Sequence, residues 1–200
     1  MTESSSPKIA GLLLAAGGSS RLGRPKQLIE FEGKTLIRRA AEALIKGGCA
    51  PVVVVLGAEI TDSKSALDGL DVAIAINEGW ESGMGSSIGA GMSHLLGTEN
   101  ALDAVLISLC DQPHITGEHI KEFVGLFSAR KASVVSAGYD GIAGVPALFS
   151  KALFPRLLSL TGDKGARELI RNAPDAVTIP LPEASIDIDT ATDALALTER

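Results

Sequence analysis

Short apolar runs alternate with stretches of helical spacing along most of the 200-residue chain. The runs at 9–15, 51–56, 72–76, 104–109 and 133–137 are β-branched or Leu-rich and are punctuated by Gly, Asp or Pro, as strands buried on both faces are. Between them, 36–46, 86–96 and 118–131 carry helical spacing, as in Leu36, Ile37, Ala40, Ala41 and Leu44, and 61–67 reads as a shorter helix. Thr116 is placed to cap a helix start and Gly47-Gly48 to stop one. This alternation predicts an α/β fold, a mostly parallel central sheet with helices on both faces. After Gly138 the pattern changes: 139–144 is turn-rich, 145–149 reads as an edge strand, 152–158 and 164–172 as helices, 177–181 as a short strand and 192–198 as a helix. No repeat, low-complexity tract or long linker divides the chain, so one domain over 1–200 is expected. Ligands of such sheets gather in loops beyond the carboxyl ends of the strands, which directs attention to those loops.

Composition narrows the class. Hydrophobic residues make up 46% of the chain and aromatic ones only 4%, so Leu, Val, Ile and Ala must fill the core. A chain of this size buries roughly 70% of its unfolded surface and needs no disulfide or zinc staple. Cys49 and Cys110 are accordingly read as small apolar core residues in a reducing compartment. A net charge of −6 argues against a nucleic-acid partner, which calls for a basic face. Residues 1–8 lack an apolar signal-peptide core, and the apolar run 9–16 falls well short of the roughly 18 residues of a membrane helix. A cytoplasmic protein with no membrane partner is expected.

Candidate chemistry begins after the first strand. Ala16, Gly17, Gly18, Ser19 and Ser20 let backbone N–H groups approach an anion, and Arg21, Arg24 and Lys26 add three positive charges. A triphosphate suits that loop. It is not a P-loop, because Gly18-x-x-x-x-Gly23 is followed by Arg24-Pro25, and the dinucleotide fingerprint G-x-G-x-x-G is absent. The run from Leu14 and Ala15 through Ala16-Gly17-Gly18-Ser19-Ser20-Arg21-Leu22-Gly23-Arg24-Pro25-Lys26-Gln27 resembles the signature loop of the molybdenum-cofactor nucleotidyltransferases, a branch of the Rossmann-like nucleotidyltransferases. The resemblance implies that this loop wraps the phosphates of an NTP, with Arg21 and Lys26 as triphosphate ligands and catalytic groups and Gly17 and Gly18 in backbone contact.

Two acidic segments supply candidate metal ligands. The strand at 104–109 ends in Cys110-Asp111-Gln112-Pro113, where Asp111 either reaches the same crevice or caps the turn. Asp187 and Asp189 share one face of an extended segment, and Asp189 or Thr190 is the N-cap of the following helix, with Asp193 in its start. Resemblance to the family's metal-binding strand end and closing acidic motif implies Mg²⁺ on Asp111 and Asp189, with Asp187 the close competitor, and makes Asp111 catalytic.

Three further loops are less specific. The stretch 77–87 feeds a helix start with Asn77, Gly83, Ser86 and Ser87; it is either an anion or base site or a compact turn. Its resemblance to a family segment implies base and ribose contacts. Gly162-Asp163-Lys164-Gly165-Ala166-Arg167 reads as a helix start capped by Asp163, while the resemblance implies acceptor contacts from Gly162, Asp163, Gly165 and Arg167, and likewise from Pro146 in Gly144-Val145-Pro146. The family reading divides the domain into a nucleotide-binding part, about 8–137, and an acceptor part, about 138–200. His94, His114 and His119 show no pairing along the chain.

Ala15-Ala16-Gly17 resembles the cytidylyl-transferring members, which implies CTP as donor, molybdopterin as acceptor, and a molybdenum enzyme as eventual client. A sugar-phosphate acceptor, a non-catalytic maturation factor and a Rossmann-like oxidoreductase are the competing readings.

Overall fold

The computed structural model describes residues 6–19, 22–162 and 165–198. In chain order its elements are β1 (Ile9–Ala15), β2 (Glu30–Phe31), β3 (Lys34–Thr35), α1 (Leu36–Lys46), β4 (Val52–Leu56), α2 (Ile60–Ala66), β5 (Ala73–Ile76), α3 (Met84–Thr98), β6 (Ala104–Leu109), α4 (Gly117–Arg130), β7 (Val134–Tyr139), β8 (Ile142–Ser150), α5 (Phe154–Leu158), α6 (Arg167–Arg171), β9 (Val177–Pro180) and α7 (Ala191–Thr198). Seven strands form one sheet in the order β5-β4-β1-β6-β8-β7-β9, and β2 and β3 form a separate hairpin. Neighbours are parallel except at β8, which runs antiparallel to both β6 and β7.

The two-residue side-chain period of a strand explains why helices cover both faces. Along β1, Ile9, Leu13 and Ala15 enter one core, while Ala10, Leu12 and Leu14 enter the other. The first core is closed by α1 and α4, the latter through Ile120 and Phe123. The second is closed by α3, α5 and α6 through residues such as Ile88, Met92, Leu157 and Ile170. Thr116 caps α4 and exchanges hydrogen bonds with His119, and Gly47 and Gly48 end α1 as their spacing predicts.

Two features depart from the sequence reading. The segment 145–149 is not at an edge: β8 lies between β6 and β7, and β9 is the edge. Pro146 suggests an edge because it cannot donate to a ladder. It is accommodated inside the sheet because the β7–β8 register shifts there, from Ser136↔Ala147 to Ala137↔Gly144, leaving Val145 and Pro146 unmatched. The hairpin of β2 and β3 was also not foreseen. Its strands have two residues each, too short to show a period, and its turn is carried by Glu32 and Gly33, both at positive φ.

A third, small core positions the site. Leu22, Ile29, Leu36, Ile188, Ala194 and Leu197 pack together, clamping the first loop to α7 and the segment before it. The backbone N–H of Ile188 also donates to the Asp111 carbonyl at 3.1 Å. Residues remote in sequence are thereby held at one end of β1 and β6.

Candidate active site

A cavity of about 310 Å³ opens at the carboxyl ends of β1 and β6. Leu14, Ala15, Ala16 and Gly17 of the first strand and loop line one side, with Leu109, Cys110 and Asp111 beside them. Lys26 and Gln27 close it from the first loop, and Trp80, Glu81, Gly83, Met84 and Ser87 from the loop before α3. Ser19 organises the first loop: its hydroxyl accepts from the Lys26 backbone N–H at 2.9 Å, and its carbonyl accepts from Leu22 N–H at 3.0 Å.

Charge concentrates on Lys26. Its ammonium donates a short hydrogen bond to Asp111 Oδ2 and a second, at 3.2 Å, to Asp189 Oδ1. Burial works against the charge on Lys26, but the Asp111 carboxylate and its hydrogen bond outweigh burial, so the ammonium titrates above the ordinary lysine range. The three carboxylates interact: burial, then the charges of Asp111 and Asp189, raises Asp187 to about 6. Burial and the Asp111 charge push the Cys110 thiol up to about 12, so it stays a neutral wall of the cavity.

The end of the chain's acidic motif now has separate roles. Thr190 is the N-cap of α7: its hydroxyl accepts from Asp193 N–H at 3.2 Å, while the Asp193 carboxylate accepts from the N–H groups of Asp189 and Thr190 at 3.1 and 2.8 Å. Asp193 is occupied with the helix start, and Asp189 reaches Lys26 instead.

Among the described residues no set of three or more His, Cys, Asp or Glu side chains forms a metal cage. Mg²⁺ does not require one, since it binds through one or two carboxylates plus waters and substrate phosphates. Asp111 meets that need: Oδ2 faces Lys26, and Oδ1 is buried without a hydrogen-bond partner among the described residues. An oxygen acceptor left open beside a second carboxylate fits a hard divalent cation.

The remaining candidates fall into two groups. Asn77 lies behind the cavity wall, donating to Ser86 Oγ at 2.8 Å and Ser87 Oγ at 3.0 Å and accepting from Gly79 N–H, so it shapes the loop that presents Gly83 and Ser87. Gly18 lies against the Trp80 indole, where a Cβ would come within 2.6 Å of the ring; Gly57 meets the other part of the same side chain at 2.6 Å. Trp80, within the 77–87 stretch expected to contact base and ribose, is thus seated between two glycines as a cover over the cavity. Among the residues expected to contact the acceptor, the Gly162 carbonyl accepts from Gly85 N–H at 2.8 Å, and Gly165 faces the Met84 sulfur, which joins this segment to the cavity's rim. Pro146 lies in the β8 irregularity, where Gln112 Nε2 donates to the Val145 carbonyl at 3.2 Å. Arg167 lines a different hollow, of about 430 Å³, with Arg171 and the β7–β8 turn. Arg21 and Asp163 lie outside the described residues.

Comparison with known proteins fits this geometry. Residues 11–177 match the MobA-like NTP transferase domain. The chain belongs to the MobA-like NTP transferase family. Within that family it is 34% identical over 202 residues to nicotine blue oxidoreductase of Paenarthrobacter nicotinovorans, covering 95% of this chain and 96% of the relative. It is 31% identical over 119 residues to a probable molybdenum cofactor guanylyltransferase of Bacillus cytotoxicus, covering 58% and 56% of the two chains. The crystal structure of Rv0371c from Mycobacterium tuberculosis H37Rv superposes with a TM-score of 0.80 at 24% identity, over 98% of this chain and 100% of that one, which shows the shared fold. Rv0371c has also been crystallised in complex with manganese (TM-score 0.76, 24% identity, 96% and 98% coverage). No helix among the described residues of this family member is long and apolar enough to cross a membrane.

Proposed function

We propose that this NTP transferase moves CMP from CTP to the terminal phosphate of molybdopterin, releasing pyrophosphate. The observation that carries the reading is the junction of Lys26, Asp111 and Asp189 at the mouth of a cavity walled by the first loop. Family membership and the relative named as a molybdenum cofactor guanylyltransferase support an NTP donor and a pterin acceptor. The cytidylyl choice rests on Ala15-Ala16-Gly17, which lines the cavity.

In this reading the triphosphate lies along the first loop, with Arg21 and Lys26 as its cationic contacts. An ionised acceptor phosphate oxygen attacks the α-phosphorus; a new P–O bond forms as the α–β bridging P–O bond breaks and pyrophosphate leaves. The nucleophile arrives deprotonated, so the chain supplies position and charge compensation rather than a base. Lys26 leans on Asp111 and Asp189 in the free protein and turns to the phosphates when substrate enters. Asp111 and Asp189 would hold Mg²⁺, with Asp187 as the alternative carboxylate; bound there, the ion supplies charge neutralisation at the reacting phosphate. The manganese complex of the structurally similar mycobacterial protein supports a divalent cation in this fold. Segment 162–167 and Pro146 would face the acceptor, dividing labour between parts at about 8–137 and 138–200.

The test is pyrophosphate release from CTP, GTP, ATP and UTP with Mg²⁺, with and without molybdopterin. Release that requires both CTP and the pterin is expected; release with GTP instead corrects the base, and no release with any NTP sinks the acceptor assignment. A second reading, an oxidoreductase, is favoured by the full-length similarity to nicotine blue oxidoreductase. The absent G-x-G-x-x-G weighs against it, and a chain that neither binds nor oxidises NADH or NADPH closes it.

A further inference from the structure

Among the described residues, six buried side-chain polar atoms lack a hydrogen-bond partner, and only two of them, Asp111 Oδ1 and Gln27 Nε2, belong to residues lining the nucleotide cavity. Asp111 has been accounted for as a candidate cation ligand. Gln27 has not. It is 1% exposed, in the short 3-10 turn Lys26–Leu28, directly after the lysine that bridges the two carboxylates. A position so buried is ordinarily filled by an apolar side chain, because a buried amide N–H without an acceptor destabilises the fold. A residue that tolerates that cost at the wall of a cavity is positioned for an acceptor that arrives with the ligand.

We infer that Gln27 is a substrate-contacting residue that donates its carboxamide N–H to an oxygen of the bound nucleotide. The inference rests on the reading of this cavity as the NTP site. A carboxamide nitrogen is a neutral donor and takes only acceptors, so its partner oxygen is that of a phosphate, of the ribose or of a base carbonyl. Lys26 supplies charge at the same place, whereas Gln27 adds a neutral donor from a buried position. Cytosine carries a carbonyl oxygen, adenine carries none, and tripolyphosphate lacks base and ribose alike, which makes the three sources separable.

The test is binding of CTP, ATP and inorganic tripolyphosphate to the whole protein, followed by the fluorescence of Trp80, the only tryptophan and itself part of the cavity wall. Gln27→Met keeps the bulk and removes the donor; Gln27→Glu keeps the shape and replaces the donor with an acceptor. Loss of one hydrogen bond predicts about tenfold weaker binding in Gln27→Met, and a larger loss in Gln27→Glu. If only CTP weakens, Gln27 reads the base; if CTP and ATP weaken and tripolyphosphate does not, it holds the ribose; if all three weaken alike, it holds phosphate. The ligand-free Gln27→Met protein should melt no lower than wild type, since it loses an unpaired donor rather than a bond. Unchanged affinity for all three ligands in either folded variant overturns the inference while leaving the nucleotide site intact. Wild-type protein that binds none of the three overturns the nucleotide reading and the inference with it.

Discussion

The two ends of the sheet differ in a way that volume does not capture. At the carboxyl ends of β1 and β6 the cavity measures about 310 Å³; around the opposite end, beside the start of β6 and the end of α4, a hollow of about 950 Å³ is lined by Asp103, Lys131, Lys151 and Asp175. In the larger hollow the carboxylates already have partners. Asp103 accepts from the Lys8 backbone N–H at 3.0 Å and faces Lys151, and Asp175 accepts from both the N–H and the hydroxyl of Ser133. In the smaller one, two buried polar atoms have none and one lysine serves two carboxylates. What distinguishes the candidate site from the larger hollow is unmet bonding capacity, not space.

That contrast can be broken by experiment. Asp111→Asn should reduce turnover by about 10²–10³-fold, the scale on which one charge-compensating group in a reaction centre acts, while Asp103→Asn at the far end should leave it unchanged; equal losses at both ends would erase the distinction. Next in size, Lys26→Met should destabilise the metal-free protein by about 3 kcal/mol in chemical denaturation, because it leaves Asp111 buried beside other carboxylates. Added Mg²⁺ should recover part of that loss if the carboxylates hold the ion, and no recovery would count against the metal assignment.

The smallest effect concerns Asp187, whose folded pKa of about 6 lies above its ordinary 3.8. Between those values the folded protein binds more protons than the unfolded chain, so this group's contribution to stability is intact below pH 4 and is lost as pH rises through 6. Asp187→Asn in EDTA should therefore melt higher than wild type at pH 7.5, and the gap should close on acidification toward pH 4. A gap independent of pH would mean that neither burial nor the neighbouring carboxylates raise Asp187.

Local features were the readable ones. The bounds of β1, α1 and β6 follow from runs of apolar residues and from Gly47-Gly48, and the cap at Thr116 follows from residue type. The placement of β8 between β6 and β7 was not readable, because strand order depends on partners distant in sequence and a bulge hides the proline's handicap. At the site, the family resemblance pointed to Lys26, Asp111 and Asp189, and the structure brings those three together. The sequence left Asp189 and Thr190 as rival caps; only the hydrogen bonds of Thr190 with Asp193 separate them. Gln27 and Trp80 stood in view within their loops, but an unpaired amide and an indole seated between Gly18 and Gly57 are properties of packing rather than of spelling.

The clamp of the first loop onto α7 also bears on when the site can assemble during synthesis. Lys26 and Asp189 are separated by 163 positions, and the small core that holds them together includes Ala194 and Leu197. A nascent chain on the ribosome has made its first loop long before that helix leaves the exit tunnel. Until then Lys26 has only half of its carboxylate pair and the loop lacks its packing, so the site is assembled only once both of these distant segments have been translated.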